Sequence, residues 1–133
     1  MLREIWTDGA CSGNPGYGGW AATVDGELIC DGFANTTNNA MELFAVYNAL
    51  LLCSYQDTAV IFTDSKLVIG WLKKGWQCNN PINRQIIEAI QIHKQSLALD
   101  WHFTLVKGHS GSYKNNLVDR AAHDCARRKR GGA

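Results

Sequence analysis

A short apolar segment at residues 58–63 constrains the fold of this chain most strongly. Its sequence, Thr-Ala-Val-Ile-Phe-Thr, is almost purely apolar, so a strand built from it must be covered on both faces. Such a strand is typical of the centre of a parallel sheet that lies between layers of helices. A helical pattern precedes it at residues 36–51 and another follows from Ser65, which predicts an α/β domain.

The other segments complete the order βββαβααβα. Three strands come first, and the hairpin signal Asp25-Gly26 joins the second strand to the third. Residues 12–19 are rich in glycine, which predicts a loop between the first two strands. We therefore expect a five-stranded mixed sheet, with three antiparallel strands and two parallel strands added by right-handed crossovers. The predicted strands are 3–11, 20–24, 28–33, 58–63 and 101–106, and the predicted helices are 36–51, 65–72, 82–98 and 114–129.

Helical spacing predicts which side chains face the sheet. Glu42 lies in line with Ala45, Val46 and Ala49, so it points along a face of small residues that can approach a sheet closely. The same reasoning turns Ile82, Ile86, Ile90 and Leu97 of the third helix inward, and Leu117, Ala121, Ala122 and Cys125 of the last helix.

Length and composition favour one intracellular domain. The 133 residues are 46% apolar and 19% charged, which suits a compact core and excludes a disordered chain. No apolar run is long enough to span a bilayer, and residues 1–4 lack the pattern of a secretory signal. The five cysteines are widely spaced, so neither a zinc site nor a disulfide framework is predicted. We expect a cytoplasmic monomer with one domain over residues 1–133.

Charge is distributed unevenly along the chain. Residues 1–64 hold eight acidic residues and one arginine, whereas residues 65–133 hold twelve lysines and arginines and four acidic residues. Residues 127–133 begin with four consecutive cations, and we expect them to form a basic, flexible tail. An acidic centre beside a basic half suits a metal site that faces a polyanion, although a solvated helix face explains each single lysine more simply.

Four carboxylates lie on separate predicted elements: Asp8, Glu42, Asp64 and Asp119. Strand ends next to helices are where an α/β sheet collects its site residues, and acidic groups gathered there raise each other's pKa. Mg²⁺ or Mn²⁺ bound to such oxygen ligands would relieve the repulsion. Each residue also has an ordinary interpretation: Asp64 as a helix cap, Glu42 as an exposed acid in a first helical turn, and Asp119 as a surface carboxylate. For Asp8 the ordinary role is that of a turn former, which is weaker because a glycine-rich segment rather than a helix follows it.

Polar and aromatic residues near these carboxylates are candidates for contacts with nucleic acid. Asn14, Asn38 and Asn39 carry the donors and acceptors that a sugar 2′-hydroxyl needs, although asparagine is also a common turn residue. Trp76 follows the pair Lys73-Lys74, and aromatic rings interleaved with cations suit the sugars and phosphates of a strand.

His109 lies in the predicted loop Gly108-His109-Ser110-Gly111, ten residues before Asp119. A histidine in a loop is often simply exposed to solvent. A mobile histidine beside a metal cluster also shuttles protons near neutral pH, which makes His109 a candidate catalytic residue.

These motifs together resemble the type 1 ribonuclease H family. Five stretches occur in the family's order and cover nearly the whole chain, and the set is far more specific than any one of them. They are TDGACSGNPG at 7–16, TTNNAMEL at 36–43, TDS at 63–65, VKGHSG at 106–111 and NNLVD at 115–119.

The resemblance implies a ribonuclease H-like fold and endonucleolytic hydrolysis of the RNA strand of RNA–DNA hybrids, which leaves 5′-phosphate and 3′-hydroxyl ends. It implies that Asp8, Glu42, Asp64 and Asp119 hold two Mg²⁺ ions, for which Mn²⁺ can substitute, and that Asp8 is shared by both. His109 would assist proton transfer or product release. The implied substrate contacts are Cys11, Asn14, Asn38, Asn39, Lys66, Lys73, Lys74, Trp76 and Asn115.

Two features depart from the family's pattern. Residues 70–76 run almost directly to Pro81, so the basic helical protrusion of well-known bacterial members is absent. We expect Lys73, Lys74 and residues 127–130 to supply affinity for the hybrid instead. The position after Asn115 is often acidic in the family and is Asn116 here, which weakens the acidic cluster near Asp119.

Three other functions use similar residues. Holliday-junction resolvases, transposase cores and exonucleases carry carboxylates on the same kind of sheet, but the asparagines and the Gly-His-Ser-Gly loop argue against them. A non-catalytic nucleic-acid-binding module would be expected to lose a carboxylate, and none is lost. A detached ribonuclease domain of a reverse transcriptase stays open, and its chemistry would be the same.

Overall fold

One five-stranded mixed sheet organises the computed structural model, which describes residues 1–107 and 112–131. The predicted order βββαβααβα is confirmed, and so is the division into antiparallel and parallel strands. The strands are β1 (Leu2–Gly13), β2 (Gly16–Val24), β3 (Glu27–Thr36), β4 (Thr58–Thr63) and β5 (Asp100–Leu105), and the helices are α1 (Asn38–Leu51), α2 (Lys66–Lys73), α3 (Pro81–Ser96) and α4 (Tyr113–Arg130).

β1 lies at the centre of the sheet, in the order β3-β2-β1-β4-β5. It pairs antiparallel with β2 along most of its length and parallel with β4 only as far as the pair Trp6 and Phe62. Two residues further along both strands, the same register aligns Asp8 of β1 with Asp64, which directly follows β4. The register alone therefore brings these two carboxylates to the same edge.

The glycine-rich residues 12–19 differ from the predicted loop. β1 continues to Gly13, β2 begins at Gly16, and the turn between them is Asn14-Pro15, whose peptide bond is cis. The prediction was wrong because glycine usually marks a turn, whereas here it meets a packing need. A Cβ at Gly19 would lie 2.2 Å from the carbonyl oxygen of Ala122, so only glycine lets α4 lie this close to β2.

Helices cover the two faces of the sheet unequally. α1 packs on β1 and β2 from one side, with α3 packed against α1, and their side chains form the larger core. Among the helices of the described residues, only α4 packs on the other side, across β1, β2 and β3, and a smaller core forms beneath it from Ala10, Ala21, Val118 and Ala122. Cys30 packs against this smaller core, where its thiol is hydrogen-bonded with that of Cys125.

The inward faces of α3 and α4 are shifted from the predicted ones. Ile86 and Ile90 are buried as expected, but Ile82 lies in the first turn of α3 and is 62% exposed. On α4, Val118 and Ala126 are buried, whereas Leu117 is only partly covered. The error arises because several apolar residues of α4 are adjacent, and their spacing alone does not fix the phase of the helix.

Residues 127–130 are not a tail separate from the last helix. They form the final turn of α4, which ends at Arg130, so the predicted helix 114–129 is confirmed there and the prediction of a flexible tail is wrong for these four residues. Four cations at a helix C-terminus interact favourably with the helix dipole, and this explains why the helix extends through them.

The connection between α2 and α3 agrees with the absence of a protrusion. Residues 74–80 contain no helix, and Asn80 caps α3 by accepting a hydrogen bond from the Asn83 N–H at 3.0 Å. Among the helices of the described residues, none has the length and apolar character to cross a membrane.

Gly19→Ala should destabilise the fold by about 1–3 kcal/mol, because the new methyl group would meet the backbone of α4 at Ala122 and Ala126. Urea unfolding followed by circular dichroism measures this change. Gly131→Ala is the matched control, since its Cβ would make only ordinary contacts at 3.6 Å. A Gly19→Ala protein as stable as the wild type would show that α4 does not depend on this close approach.

Candidate active site

Three carboxylates from different elements meet at the edge of the sheet. Asp8 of β1, Glu42 of α1 and Asp64 after β4 each offer an oxygen within 4.8 Å of the others. Asp8 is 3% exposed and Glu42 is 4% exposed, so two acidic side chains are buried side by side. Carboxylates are rarely buried unless a cation or a proton compensates their charge.

Gly9 allows α1 to bring Glu42 against β1. A Cβ at Gly9 would lie 2.5 Å from the backbone nitrogen of Glu42, so the start of α1 touches the strand directly. Thr37 caps the helix there by accepting a hydrogen bond from the Ala40 N–H at 3.2 Å. The Gly9 N–H in turn donates to Oδ1 of Asp8 at 2.9 Å and fixes the orientation of that carboxylate. The interpretation of Glu42 as an exposed first-turn acid is therefore wrong.

Asp64 is not the cap of the helix that follows it. Ser65 has that role, because its Oγ accepts a hydrogen bond from the Val68 N–H at 3.2 Å. The Ser65 N–H itself donates to Oγ1 of Thr63 at 3.1 Å. These bonds leave the half-buried Asp64 carboxylate directed to the cluster with Asp8 and Glu42.

Asp119 completes the group from the other face of the sheet. It lies on α4, and its carboxyl group is hydrogen-bonded with that of Asp8. The Asp119 side chain is 40% exposed, so it stands at the open side of the cluster. His123, one turn later, has Nδ1 2.9 Å from the Asp119 carbonyl oxygen and 3.6 Å from its Oδ1.

Burial and mutual repulsion raise the pKa of both buried carboxylates. Burial, then the charge of Asp64, and also the hydrogen bond with Asp119 raise the pKa of Asp8 to about 7. Burial, then the charges of Asp8 and Asp64, raise the pKa of Glu42 well above its usual range. The cluster therefore holds protons near neutral pH unless a cation replaces them.

The orphan oxygen of Glu42 shows that the cluster fits a metal ion. Oε2 of Glu42 is buried, and no residue in the described parts of the chain donates a hydrogen bond to it. A cluster made only of carboxylate oxygens matches the preference of hard divalent cations. Its donor set is therefore suited to Mg²⁺ or Mn²⁺.

The predicted RNA contacts gather around the first turn and the start of α1. Asn14 accepts a hydrogen bond from the Asn38 N–H at 3.0 Å and ties the β1–β2 turn to the helix. Asn39 is half-buried beside them. Cys11 is half-buried as well and donates its thiol to the Thr36 carbonyl oxygen at 3.3 Å. The structure thus brings these four residues together around the β1–β2 turn and the start of α1, the helix that carries Glu42.

The other predicted substrate-binding residues do not share one surface. Lys66, Lys74 and Trp76 line one groove between α2 and β5, and the Lys74 ammonium lies 5.6 Å from the centre of the Trp76 ring. Lys73 instead donates to the Trp101 carbonyl oxygen at 3.1 Å, which makes it a brace between α2 and β5. Asn115 is 3% exposed, so little of its side chain is open to a substrate. His109 lies outside the described residues.

The sequence did not reveal an amide-lined groove beside α1. Thr37, Asn39, Asn80 and Asn83 line it together with Trp71. The Asn83 side chain is buried, and its Oδ1 has no hydrogen-bond partner among the described residues. The available signal was the polar run Gln77-Cys78-Asn79-Asn80 before Pro81, which indicates a turn as readily as a surface for a ligand.

The raised pKa of Asp8 predicts how stability depends on pH in EDTA. The pKa rises from 3.8 to about 7 on folding, so the folded protein binds a proton that the unfolded chain has released between these values. The free energy of unfolding should therefore fall as pH rises from about 4 to about 7, by roughly 2–4 kcal/mol. Urea unfolding at several pH values measures it, and Asp8→Asn should largely remove this part of the dependence.

Asp31→Asn is the control for that series. Asp31 is an exposed carboxylate on β3 that accepts a hydrogen bond from the Gly32 N–H at 2.8 Å, and an asparagine can keep this bond. Equal pH profiles for the wild type and Asp8→Asn would contradict the burial of a titrating Asp8.

Comparison with known proteins agrees with the geometry. The family model for RNase H matches residues 3–127. The ribonuclease H of Novosphingobium aromaticivorans is 39% identical over 142 aligned positions, which cover 92% of this chain and 95% of that protein. The ribonuclease H of Xanthomonas campestris is 38% identical and covers 97% of this chain and 95% of its own length.

Solved structures share the fold. RNase H1 of Halobacterium salinarum has a TM-score of 0.77 and 26% identity over 96% of this chain and 99% of that one. LC11-RNase H1, solved in complex with an RNA/DNA hybrid, has a TM-score of 0.78 and 20% identity over 96% of this chain and 98% of that one. With its carboxylate cluster and these relatives, the chain belongs to the ribonuclease H family of metal-dependent nucleases, which cleave RNA in RNA–DNA hybrids.

Proposed function

We propose that this chain hydrolyses the RNA strand of RNA–DNA hybrids with two divalent metal ions and leaves 5′-phosphate and 3′-hydroxyl ends. The meeting of Asp8, Glu42 and Asp64 at the sheet edge, with Asp119 hydrogen-bonded to Asp8, is the observation that carries the proposal. Mg²⁺ is the ion we expect in the cell, with Mn²⁺ as a substitute.

The four carboxylates have distinct positions in this proposal. Asp8 contacts or faces each of the other three, so it is the residue that two ions would share. Glu42 is buried, whereas Asp64 and Asp119 are half-buried. When bound, the ions supply a nucleophilic water and stabilise charge on the leaving 3′-oxygen. The protein's part is to hold these oxygens in place and to keep water from surrounding them.

Recognition of the RNA strand is assigned to the residues around the first turn. Asn14 and Asn38 are exposed, and Asn39 and Cys11 are half-buried. Amide groups there can donate to and accept from a 2′-hydroxyl, which is the group that distinguishes RNA from DNA. The hybrid bound to the structurally similar LC11-RNase H1 supports a hybrid as the substrate.

The second strand is assigned to the groove between α2 and β5. Trp76 is 48% exposed, and Lys66 and Lys74 lie beside it. An aromatic ring with neighbouring cations suits the sugars and phosphates of a strand without reading its sequence. His109 is proposed, from its place in the Gly-His-Ser-Gly motif alone, to assist proton transfer or product release.

We also propose that one protomer in a reducing compartment, such as the cytoplasm, is the working form. All five cysteines are free thiols, although Cys30 and Cys125 are in hydrogen-bonding contact. One chain supplies all four carboxylates, so the site does not need a partner subunit.

End-labelled duplexes of about 16–20 base pairs test the proposed reaction. With Mg²⁺ or Mn²⁺, the wild type should cut only the RNA strand of an RNA–DNA hybrid, and EDTA should stop the reaction. Asp8→Asn should lower the rate on the order of 10³-fold, because it removes the carboxylate that the others surround. Asp31→Asn should retain activity.

Other outcomes assign other functions. Cleavage of an all-DNA duplex would place the chain with resolvase-like nucleases. Tight binding of the hybrid without cleavage would leave only a binding module.

Metal binding can be tested apart from activity. Glu42→Gln should raise the thermal midpoint in EDTA, since a neutral glutamine avoids the cost of protonating or burying the carboxylate on folding, and it should weaken the further rise that Mg²⁺ gives the wild type. At a concentration one hundred times Kd, that rise corresponds to about 2.7 kcal/mol. Differential scanning calorimetry measures the midpoints, and isothermal titration measures the number of ions.

Glu88→Gln, which changes an exposed glutamate on α3, is the control and should behave as the wild type. If Mg²⁺ stabilises Glu42→Gln as much as the wild type, Glu42 is not a ligand. Binding of a single ion would reject the two-ion part of the proposal.

A further inference from the structure

A cavity lies between the C-terminal end of α4 and the end of β1, outside the carboxylate cluster. The last turns of this helix and the end of β1 enclose a volume of about 90 Å³. Two arginines and a histidine of α4 face backbone and small side chains of β1 across it. The residues that line the cavity are Ala10, Cys11, Ser12, His123, Ala126, Arg127 and Arg130.

β1 and α4 run alongside one another from the carboxylates to this cavity. Asp8 and Asp119 are hydrogen-bonded at one end, and Ala10 packs in the same small core as Ala122 further along. From Asp119 to Arg127 the rise of an α-helix is about 12 Å, and from Asp8 to Ser12 the rise of a strand is about 13 Å. His123 lines the end of the cavity nearest Asp119, whereas the two arginines lie about 12–16 Å from Asp119 along the helix axis.

The cavity is cationic, whereas the site beside it is acidic. Arg127 is paired with Asp124 one turn earlier, but both side chains are exposed, at 64% and 37%, so the pair is weak. Arg130 is exposed on the final turn. Each guanidinium group carries several hydrogen-bond donors in a planar fork that suits the oxygens of a phosphate.

The neighbouring cations of the same turn point elsewhere. The charge of Arg128 acts on the thiol of Cys125, which faces Cys30 of β3. Neither Arg128 nor Lys129 lines the cavity. Of the four basic residues 127–130, Arg127 and Arg130 thus line the cavity, whereas Arg128 and Lys129 do not.

We propose that Arg127 and Arg130 form a subsite for a backbone phosphate of the RNA strand, a few nucleotides from the bond that is cut. This inference rests on the proposed function. Phosphates of one strand advance ~3.4 Å per nucleotide along the axis of a duplex, so about 12–16 Å corresponds to a few nucleotides. The RNA strand is the one assigned, because the cavity shares Cys11 with the proposed RNA contacts.

The subsite gives the enzyme a requirement for substrate length on one side of the cut. A hybrid whose RNA strand ends before the cavity would lose this contact, whereas a longer one would gain it. Such a contact adds affinity without reading sequence, and salt weakens it.

The test compares two double variants that remove the same charge from the same helical turn. Arg127→Ala with Arg130→Ala should raise KM for a long hybrid about 3- to 20-fold and lower the slope of log KM against log salt by about one for each lost phosphate contact. Arg128→Ala with Lys129→Ala should change both quantities much less. The kcat of both should stay within about twofold of the wild type, since neither pair touches the carboxylates.

A series of hybrids shortened from each end of the RNA strand locates the contact. The KM difference between the wild type and the Arg127/Arg130 variant should disappear once one end is trimmed past a fixed length, and trimming the other end should leave it. A difference that persists in the shortest cleaved hybrid would overturn the subsite, because it would reflect general charge.

Failure of this inference is distinguishable from failure of the proposed function. A wild type that does not cut hybrids rejects the function itself. A wild type that does cut, with equal KM values for the two double variants, rejects the subsite alone. Urea unfolding of both variants, with free energies matching the wild type, excludes loss of folding as the cause.

Discussion

The contact between α1 and β1 at Gly9 is the constraint on which the site depends. Because Gly9 has no side chain, the start of α1 lies directly on the strand and Glu42 is buried beside Asp8. The two carboxylates repel each other there, and burial makes the repulsion stronger than it would be in water. Apolar side chains on the rest of α1, from Leu43 to Leu50, are buried in the larger core and hold the helix against this repulsion. The fold thus maintains a cluster of carboxyl groups that holds protons near neutral pH unless a cation compensates their charge.

α4 links the site to the surface around it. Glycines at positions 19 and 32 let its backbone lie close to β2 and β3, so the helix is fixed without large side chains beneath it. One face of the helix then carries Asp119 to Asp8, and the same face carries Arg127 and Arg130 to the end of β1. A single rigid element therefore sets the distance between the acidic centre and a basic surface. This is more precise than a flexible basic tail, in which each cation would have to be ordered when the substrate binds.

The sequence predicted the parts of the fold in which local pattern and burial agree. The apolar segment 58–63 became β4, and the line of Glu42 with Ala45 and Ala49 correctly placed the glutamate on the buried face of α1. Residues 16–19 were missed because glycine in a strand serves a helix that is a hundred residues away, and no local pattern carries that information. The phase of α4 was missed because Leu117, Val118, Ala121 and Ala122 offer more than one apolar face. The arginine-lined cavity could not be predicted from the sequence for the same reason. Which of four consecutive cations face β1 depends on the phase of the helix.

Because residues 74–80 form no basic protrusion, the positions of the other cations determine where the surface is basic. Residues 74–80 join α2 directly to α3, so cations that attract a polyanion must lie elsewhere. In the structure two groups of cations line separate hollows, with Lys66 and Lys74 between α2 and β5, and Arg127 and Arg130 at the end of α4. The acidic residues are concentrated in residues 1–64 and the cations in residues 65–133. The two kinds of charge therefore lie on different elements of the fold. The nearly neutral total charge therefore conceals a buried acidic centre and two separate basic surfaces.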